Sequence, residues 1–131
     1  MPRILIIDDD LLICQLLRQA LEKQGYLVTE AHEGRKGLAA HQANPADLVI
    51  TDLVMPGMEG IETIMEMKRR FPGTKIIAMS GGGVGNGTDY LQMAKKFGAH
   101  RIISKPFTIQ QFTAVVAEVL AVPRAGGSGS V

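Results

Sequence analysis

The sequence contains a single cysteine, no tryptophan and few aromatic residues of any kind. One cysteine cannot form a disulfide within the chain, and the apolar residues around Cys14 predict that it packs inside an amphipathic helix. No apolar run approaches the roughly 20 residues that a membrane-spanning helix needs, and the apolar run after Met1 is too short for a signal peptide. We therefore expect a cytoplasmic protein with no membrane partner.

The sequence also lacks an excess of charge of either sign. Its formal net charge is +1, and its basic residues are scattered without forming the long stripe that a nucleic-acid surface needs. The longest basic cluster, at residues 68–70, falls at the end of a predicted helix, where the helix dipole favours it. A length of 131 residues with 46% hydrophobic content predicts one autonomous domain that does not bind nucleic acid directly.

Short apolar runs alternate with amphipathic segments along the chain. The predicted strands cover residues 3–8, 26–31, 47–52, 74–80 and 100–105, and the predicted helices cover residues 10–24, 34–43, 59–71, 87–97 and 108–121. Such alternation is typical of a parallel sheet with right-handed crossovers and helices on both faces. Because the second strand is the more polar one, we place it at an edge. The sequence thus predicts a three-layer, doubly wound α/β sandwich with a five-stranded sheet in the order 2-1-3-4-5 and five helices.

Residues at the segment boundaries support these limits. Asp10 and Thr108 begin two of the predicted helices as N-caps, and Gly25 follows the first helix. The alternating pattern stops near Pro123, where a stretch rich in glycine and serine begins. We therefore expect the domain to cover residues 1–122 and residues 123–131 to form a flexible tail or a linker stub.

Four of the apolar runs end in a reactive polar residue. Asp8 and Asp9 follow the first predicted strand, and the third, fourth and fifth strands end in Asp52, Ser80 and Lys105. The carboxyl ends of parallel strands lie along one edge of a sheet, so these side chains should meet in one crevice where the winding reverses. Such a set of groups can bind a hard cation and accept a phosphoryl group.

The acidic residues of this set predict a magnesium site. Three carboxylates at one place repel one another, and a divalent cation removes the conflict. Oxygen ligands without a suitably placed histidine or cysteine favour Mg²⁺, which keeps several of its waters. The three histidines lie on separate predicted elements and are expected at the surface: His32, His41 and His100.

Asp52 is the best candidate for a nucleophile, because it stands alone at its strand end whereas Asp8 and Asp9 form a ligand pair. Phosphoryl transfer depends mainly on positioning and on neutralising charge. The Lys105 ammonium and the Ser80 hydroxyl suit two of the phosphoryl oxygens. Taken alone, each of these residues could equally be a helix cap, a turn residue or a solvated charge. Because reactive residues end four strands at the same edge, the phosphoryl site is favoured.

The same residues match a known pattern, namely ILIIDD at residues 4–9, DLVMPG at 52–57 with Gly60 following, Ser80, and KPF at 105–107. Over residues 3 to about 121 the chain resembles the receiver domains of two-component response regulators. The resemblance implies that Asp52 is the phosphoacceptor and that Ser80 and Lys105 contact the phosphoryl group. The Mg²⁺ ligands that it implies are Asp8, Asp9, Asp52 and the backbone carbonyl of Val54 or Met55.

The resemblance implies partners as well. A sensor histidine kinase or a histidine phosphotransfer protein would dock beside the first helix and donate the phosphoryl group. Phosphorylation would then change the surface of the predicted helix over 87–97, the strand over 100–105 and the helix over 108–121, which binds a downstream protein. The protein would be a monomer or a phosphorylation-dependent dimer that turns over no separate substrate. Its Lys105–Pro106 peptide is expected to be cis.

Two features depart from the family pattern. Ile102 stands where receiver domains usually carry an aromatic residue, so the output is expected to depend on backbone or helix motion. Residues 81–87 are unusually rich in glycine but lack the lysine of a nucleotide-binding loop. We expect this loop to be mobile before phosphorylation and ordered afterwards. Neither Val54 nor Gly82 can orient a water molecule, which predicts slow autodephosphorylation.

Three alternatives stay open from the sequence. The chain could be the receiver part of a longer regulator with a DNA-binding or enzymatic domain. It could be a small phosphatase with an aspartyl nucleophile, although Val54 stands where a second acid would be needed. It could also be a scaffold that is never phosphorylated, which the complete set of site residues disfavours.

Overall fold

The computed structural model describes residues 1–53, 60–80 and 96–123. These residues contain β1 (Arg3–Ile7), α1 (Leu11–Lys23), β2 (Leu27–Ala31), α2 (Gly34–Ala43), β3 (Leu48–Asp52), α3 (Gly60–Arg70), β4 (Lys75–Ser80), β5 (Arg101–Ser104) and α4 (Ile109–Ala121). All strands are parallel, in the order β2-β1-β3-β4-β5. The predicted fold and strand order are confirmed. The helix predicted over 87–97 lies outside the described residues, apart from its last two positions.

The burial of the strands explains their order. Every residue of β3 and β4 is buried, as expected for strands that helices cover on both faces. In β2 the side chains of Leu27 and Thr29 are exposed, while Val28 between them is buried. The exposure of these two side chains explains why β2 is the more polar strand, which predicted its edge position.

Two hydrophobic cores lie on opposite faces of the sheet. Successive side chains of a strand point to opposite faces. Ile7 therefore packs in the core beneath α2 and α3 with Ile64, and Ile6 packs beneath α1 and α4 with Phe112. Each fully buried side chain of this kind contributes about 1.5–3 kcal/mol to the free energy of folding. The sheet is thus held firmly from both sides, which fixes the positions of its strand ends.

The predicted helix caps are present. The Asp10 side chain accepts hydrogen bonds from the backbone amides of Leu12 and Ile13, at 3.0 and 3.2 Å. Gly25 follows α1 with a φ of +94°, a conformation that favours glycine. Thr108 forms a capping box at the start of α4. Within the described ranges, no helix has both the length and the apolar character to cross a bilayer.

The expectation that all three histidines lie at the surface is wrong for His41, which is 2% exposed. Its Nδ1 accepts a hydrogen bond of 3.1 Å from the Ala46 amide, so Nε2 carries the ring hydrogen and donates it to Thr74 Oγ1 at 3.1 Å. The ring also contacts Phe71 edge-on, with 4.7 Å between centroids. Burial is tolerated because both ring nitrogens have partners. His100 is half-buried, and His32 is exposed as expected.

Candidate metal and phosphoryl site

The carboxyl ends of four neighbouring strands form the candidate site. In the parallel register, Ile7 at the end of β1 lies beside Thr51, and Ser80 at the end of β4 lies beside Ser104. Each functional candidate either ends its strand or follows it directly, and these residues are Asp8, Asp52, Ser80 and Lys105. The sheet therefore places them on one edge, as the strand pattern predicts.

Three carboxylates make up an acidic pocket. One oxygen from each of Asp8, Asp9 and Asp52 lies within 4.8 Å of the other two. Asp8 is fully buried, Asp52 is 7% exposed, and Asp9 is open to solvent. Buried carboxylates at this separation repel one another, while their oxygens match the donors that Mg²⁺ prefers.

The side chain of Asp8 is only partly satisfied by the protein. Its Oδ1 accepts a hydrogen bond of 2.9 Å from the Asp10 amide, whereas the buried Oδ2 accepts no hydrogen bond from the described residues. Burial raises the pKa of the Asp8 carboxyl above its usual value, despite the opposing effects of the Asp10 amide and Lys105. A buried oxygen without a hydrogen-bond donor costs about 1–3 kcal/mol. A cation at this position would remove that cost, so the residues present fit a divalent ion.

Lys105 supplies the positive charge of the site. Its Nζ lies 3.5 Å from Asp8 Oδ2 and 3.9 Å from Asp52 Oδ2, which places the ammonium between the two buried acids. The Lys105 amide donates a hydrogen bond of 2.8 Å to the Ser80 carbonyl, and the Lys105–Pro106 peptide is cis, as expected. The backbone thus holds the ammonium-bearing residue against the end of β4.

Gly60 allows α3 to begin directly against the residues that follow β3. A Cβ at this position would overlap the carbonyl oxygen of Asp52 and the Cα of Leu53. The Gly60 amide donates a hydrogen bond of 3.1 Å to the Leu53 carbonyl, and the Leu53 amide donates one of 2.9 Å to Met79. Gly60 belongs to the sequence motif, but its steric role depends on a contact that the sequence alone does not reveal.

Cys14 also reaches the site, which its apolar neighbours did not indicate. The side chain is fully buried in the core on the α1 face, and its Sγ donates a hydrogen bond of 3.3 Å to the Asp8 carbonyl. Burial, together with the nearby carboxylates, raises the pKa of the thiol to about 12. With no metal bound, Cys14 is therefore neutral at neutral pH and packs in the core, as predicted, and it also supports the backbone of Asp8.

Val54, Met55 and the glycine-rich loop at residues 81–87 lie outside the described residues. Ile102, in the position of the usual aromatic residue, is half-buried and packs against the core beneath α2 and α3. Ser80 is 7% exposed at the end of β4.

Comparisons with known proteins agree with this arrangement. A family model described as the response regulator receiver domain matches residues 4–117. Sporulation initiation phosphotransferase F of Bacillus subtilis (strain 168) is 34% identical over 118 residues, which are 90% of this chain and 93% of that protein. The uncharacterized transcriptional regulatory protein YkoG of the same strain is 30% identical over 117 residues, which are 89% of this chain and 50% of that protein.

A solved structure shows the same fold. The response regulator receiver domain protein from Clostridium thermocellum superposes with a TM-score of 0.83 at 31% identity, over 92% of this chain and 94% of that one. The chain thus spans nearly the whole of one relative and half of another. Since the family match covers most of the chain and the fold agrees, the chain belongs to the response regulator receiver domain family, whose members are phosphorylation-dependent signalling switches.

Proposed function

We propose that Asp52 is the phosphoacceptor of this receiver domain. The observation that carries the proposal is the position of Asp52 at the end of β3, where its carboxylate adjoins two other acids and lies 3.9 Å from the Lys105 ammonium. Asp8 is less suited to attack, because it is fully buried and one of its oxygens already accepts the Asp10 amide. Asp52 keeps a small exposed fraction through which a phosphodonor can approach.

Asp8, Asp9 and Asp52 would hold a Mg²⁺ ion, which when bound neutralises charge on the transferred phosphoryl group. The Asp8 Oδ2, which accepts no hydrogen bond from the described residues, supports this assignment, and the exposed Asp9 would leave room for bound waters. The backbone carbonyl of Val54 or Met55 remains the predicted fourth protein ligand.

The chemistry is the transfer of a phosphoryl group from a histidine to an aspartate. The Asp52 carboxylate attacks phosphorus in line, so a P–O bond forms while the P–N bond to the donor imidazole breaks, and the imidazole takes a proton from solvent. Lys105 neutralises a second phosphoryl oxygen, and the Ser80 hydroxyl donates a hydrogen bond to a third. The phosphoryl group on Asp52 then competes with the Asp8 carboxylate for the Lys105 ammonium, which couples the chemistry to the end of β5.

The partners that the family resemblance implies are supported by the surfaces around the site. A sensor histidine kinase or a phosphotransfer protein would approach beside α1, which exposes Leu11, Leu12 and Leu16 near its amino end. Phosphorylation would change the surface of the predicted helix over 87–97, β5 and α4 for a downstream protein. The domain would work as a monomer or a phosphorylation-dependent dimer, without turnover of a separate substrate.

We further propose that the receiver domain covers residues 1–122 and that residues 123–131 are a tail or a linker stub. A receiver fragment of a longer regulator is the second candidate, because the transcriptional regulatory relative is twice as long as its matched region. The cytoplasm remains the expected compartment, on the sequence alone.

The proposal is tested by the intact mass of the protein after incubation with acetyl phosphate. Wild type should gain one phosphoryl group with Mg²⁺ and none after chelation. Asp52→Asn should gain none, whereas Asp47→Asn, a carboxylate at the opposite end of the sheet that accepts the Arg3 amide, should react like wild type. A phosphoryl adduct on Asp52→Asn would overturn the assignment.

A further inference from the structure

A second group of metal-ligating side chains lies beside the acidic pocket. It consists of Cys14 on α1, Glu30 on β2 and His32, the first residue after β2. One ligand atom from each residue lies within 4.8 Å of the other two, and His32 Nε2 is 3.1 Å from Glu30 Oε1. A thiol, an imidazole and a carboxylate together are typical of sites for zinc and similar transition metals and are unsuited to Mg²⁺.

The surroundings of the three side chains suit a metal site. Arg18 Nη1 holds the second carboxylate oxygen of Glu30 at 3.2 Å, which orients Oε1 towards His32. Cys14 is fully buried, whereas the His32 side chain is 44% exposed, so a metal can enter from the solvent side of the ring. The open side also leaves space for water as a fourth ligand.

We propose that Cys14, Glu30 and His32 bind a zinc-class divalent cation. Binding replaces the S–H bond of Cys14 with a sulfur–metal bond and releases the proton to solvent. His32 contributes the lone pair of Nε2, whose hydrogen, now donated to Glu30, moves to Nδ1 through solvent, and Glu30 contributes Oε1 while Oε2 stays with Arg18. Since Zn–S and Zn–N bonds are about 2.3 and 2.0 Å long, the ligand atoms must approach slightly, and the exposed His32 ring can provide the movement.

The proposed site is adjacent to the acidic pocket but distinct from it. The two are joined through Asp8, whose carbonyl accepts the Cys14 thiol and whose carboxylate faces Lys105. Metal binding removes the thiol donor from this carbonyl. The position therefore offers a direct route by which a transition metal affects the backbone of a phosphorylation-site residue.

Cobalt(II) is a suitable probe, because it substitutes for zinc and its thiolate complexes absorb through a charge-transfer band. We would titrate the metal-free full chain with Co²⁺ in the presence of excess Mg²⁺, which occupies sites made of carboxylates alone. The expected result is a thiolate-to-cobalt band that saturates at one equivalent and disappears when Zn²⁺ is added. The absence of this band would overturn the proposal.

Variants of the other ligands distinguish a three-residue metal site from cobalt binding by the Cys14 thiol alone. His32→Ala and Glu30→Gln should each weaken cobalt binding by tenfold or more, whereas Glu33→Gln, at an exposed carboxylate next to His32, should leave the midpoint unchanged. Asp52→Asn should also keep the band, which distinguishes this site from the proposed phosphoacceptor site. A midpoint that neither His32→Ala nor Glu30→Gln changes would contradict the proposal, provided that circular dichroism shows both variants to be folded.

Discussion

At the scale of single residues, the site is governed by burial of charge. Asp8 has no exposed surface, one of its oxygens accepts no hydrogen bond from the described residues, and its nearest cation is a Lys105 ammonium 3.5 Å away. The protein therefore stores unfavourable electrostatic free energy in the metal-free state. This free energy is available to drive cation binding.

Replacement of Asp8 by asparagine tests this account. Burial raises the Asp8 pKa above its unfolded value of 3.8, so the protonated form is favoured in the folded state and stability is lost as pH rises through the folded-state pKa. Asp8→Asn should thus raise the free energy of unfolding at neutral pH in chelator by about 1–3 kcal/mol. It should also abolish stabilisation by Mg²⁺. Thermal melts with and without Mg²⁺ measure both effects, and a destabilised variant in chelator would contradict the account.

Gly60 matters through the space that a side chain would occupy. Gly60→Ala places a Cβ against the Asp52 carbonyl and Leu53 Cα, so the start of α3 or the end of β3 must shift. We expect a loss of about 1–3 kcal/mol in the free energy of unfolding, the usual cost of overpacking. Urea denaturation measures it, with Met65→Ala on the exposed side of α3 as the control. A Gly60→Ala variant as stable as this control would refute the steric role.

At the scale of elements, His41 ties α2 to the segments around it. Its ring accepts the amide of Ala46 just before β3 and donates to Thr74 just before β4. These contacts lie at the opposite end of the sheet from the candidate phosphoryl site. They hold the amino ends of two central strands in register, so that the carboxyl ends carry the functional groups at fixed positions.

His41→Ala should therefore destabilise the fold far more than His32→Ala. The first variant leaves a buried amide and a buried hydroxyl without their partner, at a cost of about 1–3 kcal/mol for each unsatisfied group. The second removes an exposed ring, for which changes within about 0.5 kcal/mol are usual. Chemical denaturation of both variants provides the comparison, and equal stabilities would show that the buried hydrogen bonds contribute nothing.

The sequence predicted the secondary-structure elements well and predicted individual side-chain contacts less well. The polar residues of β2 and the continuous apolar runs of β1 and β3 predicted the edge position of β2, because burial on one or two faces leaves a local pattern in the sequence. The strand ends likewise predicted that Asp8, Asp9, Asp52 and Lys105 lie close together. The burial of His41 and the close approach of Gly60 to Asp52 depend on residues distant in sequence, so no local pattern encodes them.

At the scale of the whole molecule, a sheet packed on both faces holds a charged edge. The two cores fix the strands, while the edge collects three acids and one ammonium whose charges are balanced only when a cation is added. Ile102 packs against one of these cores. Any change at the output surface must therefore occur without the aromatic residue that receiver domains usually carry at this position.

The central claim is that Asp52 carries the phosphoryl group, and chemical trapping of the modified residue tests it most directly. Borohydride reduces an aspartyl phosphate to homoserine, so peptide mass mapping after reaction with acetyl phosphate and Mg²⁺ identifies the modified position. Homoserine is expected at position 52 alone, and none when Mg²⁺ is chelated. Homoserine at position 8 or 9, or reduction that does not depend on Mg²⁺, would contradict the claim.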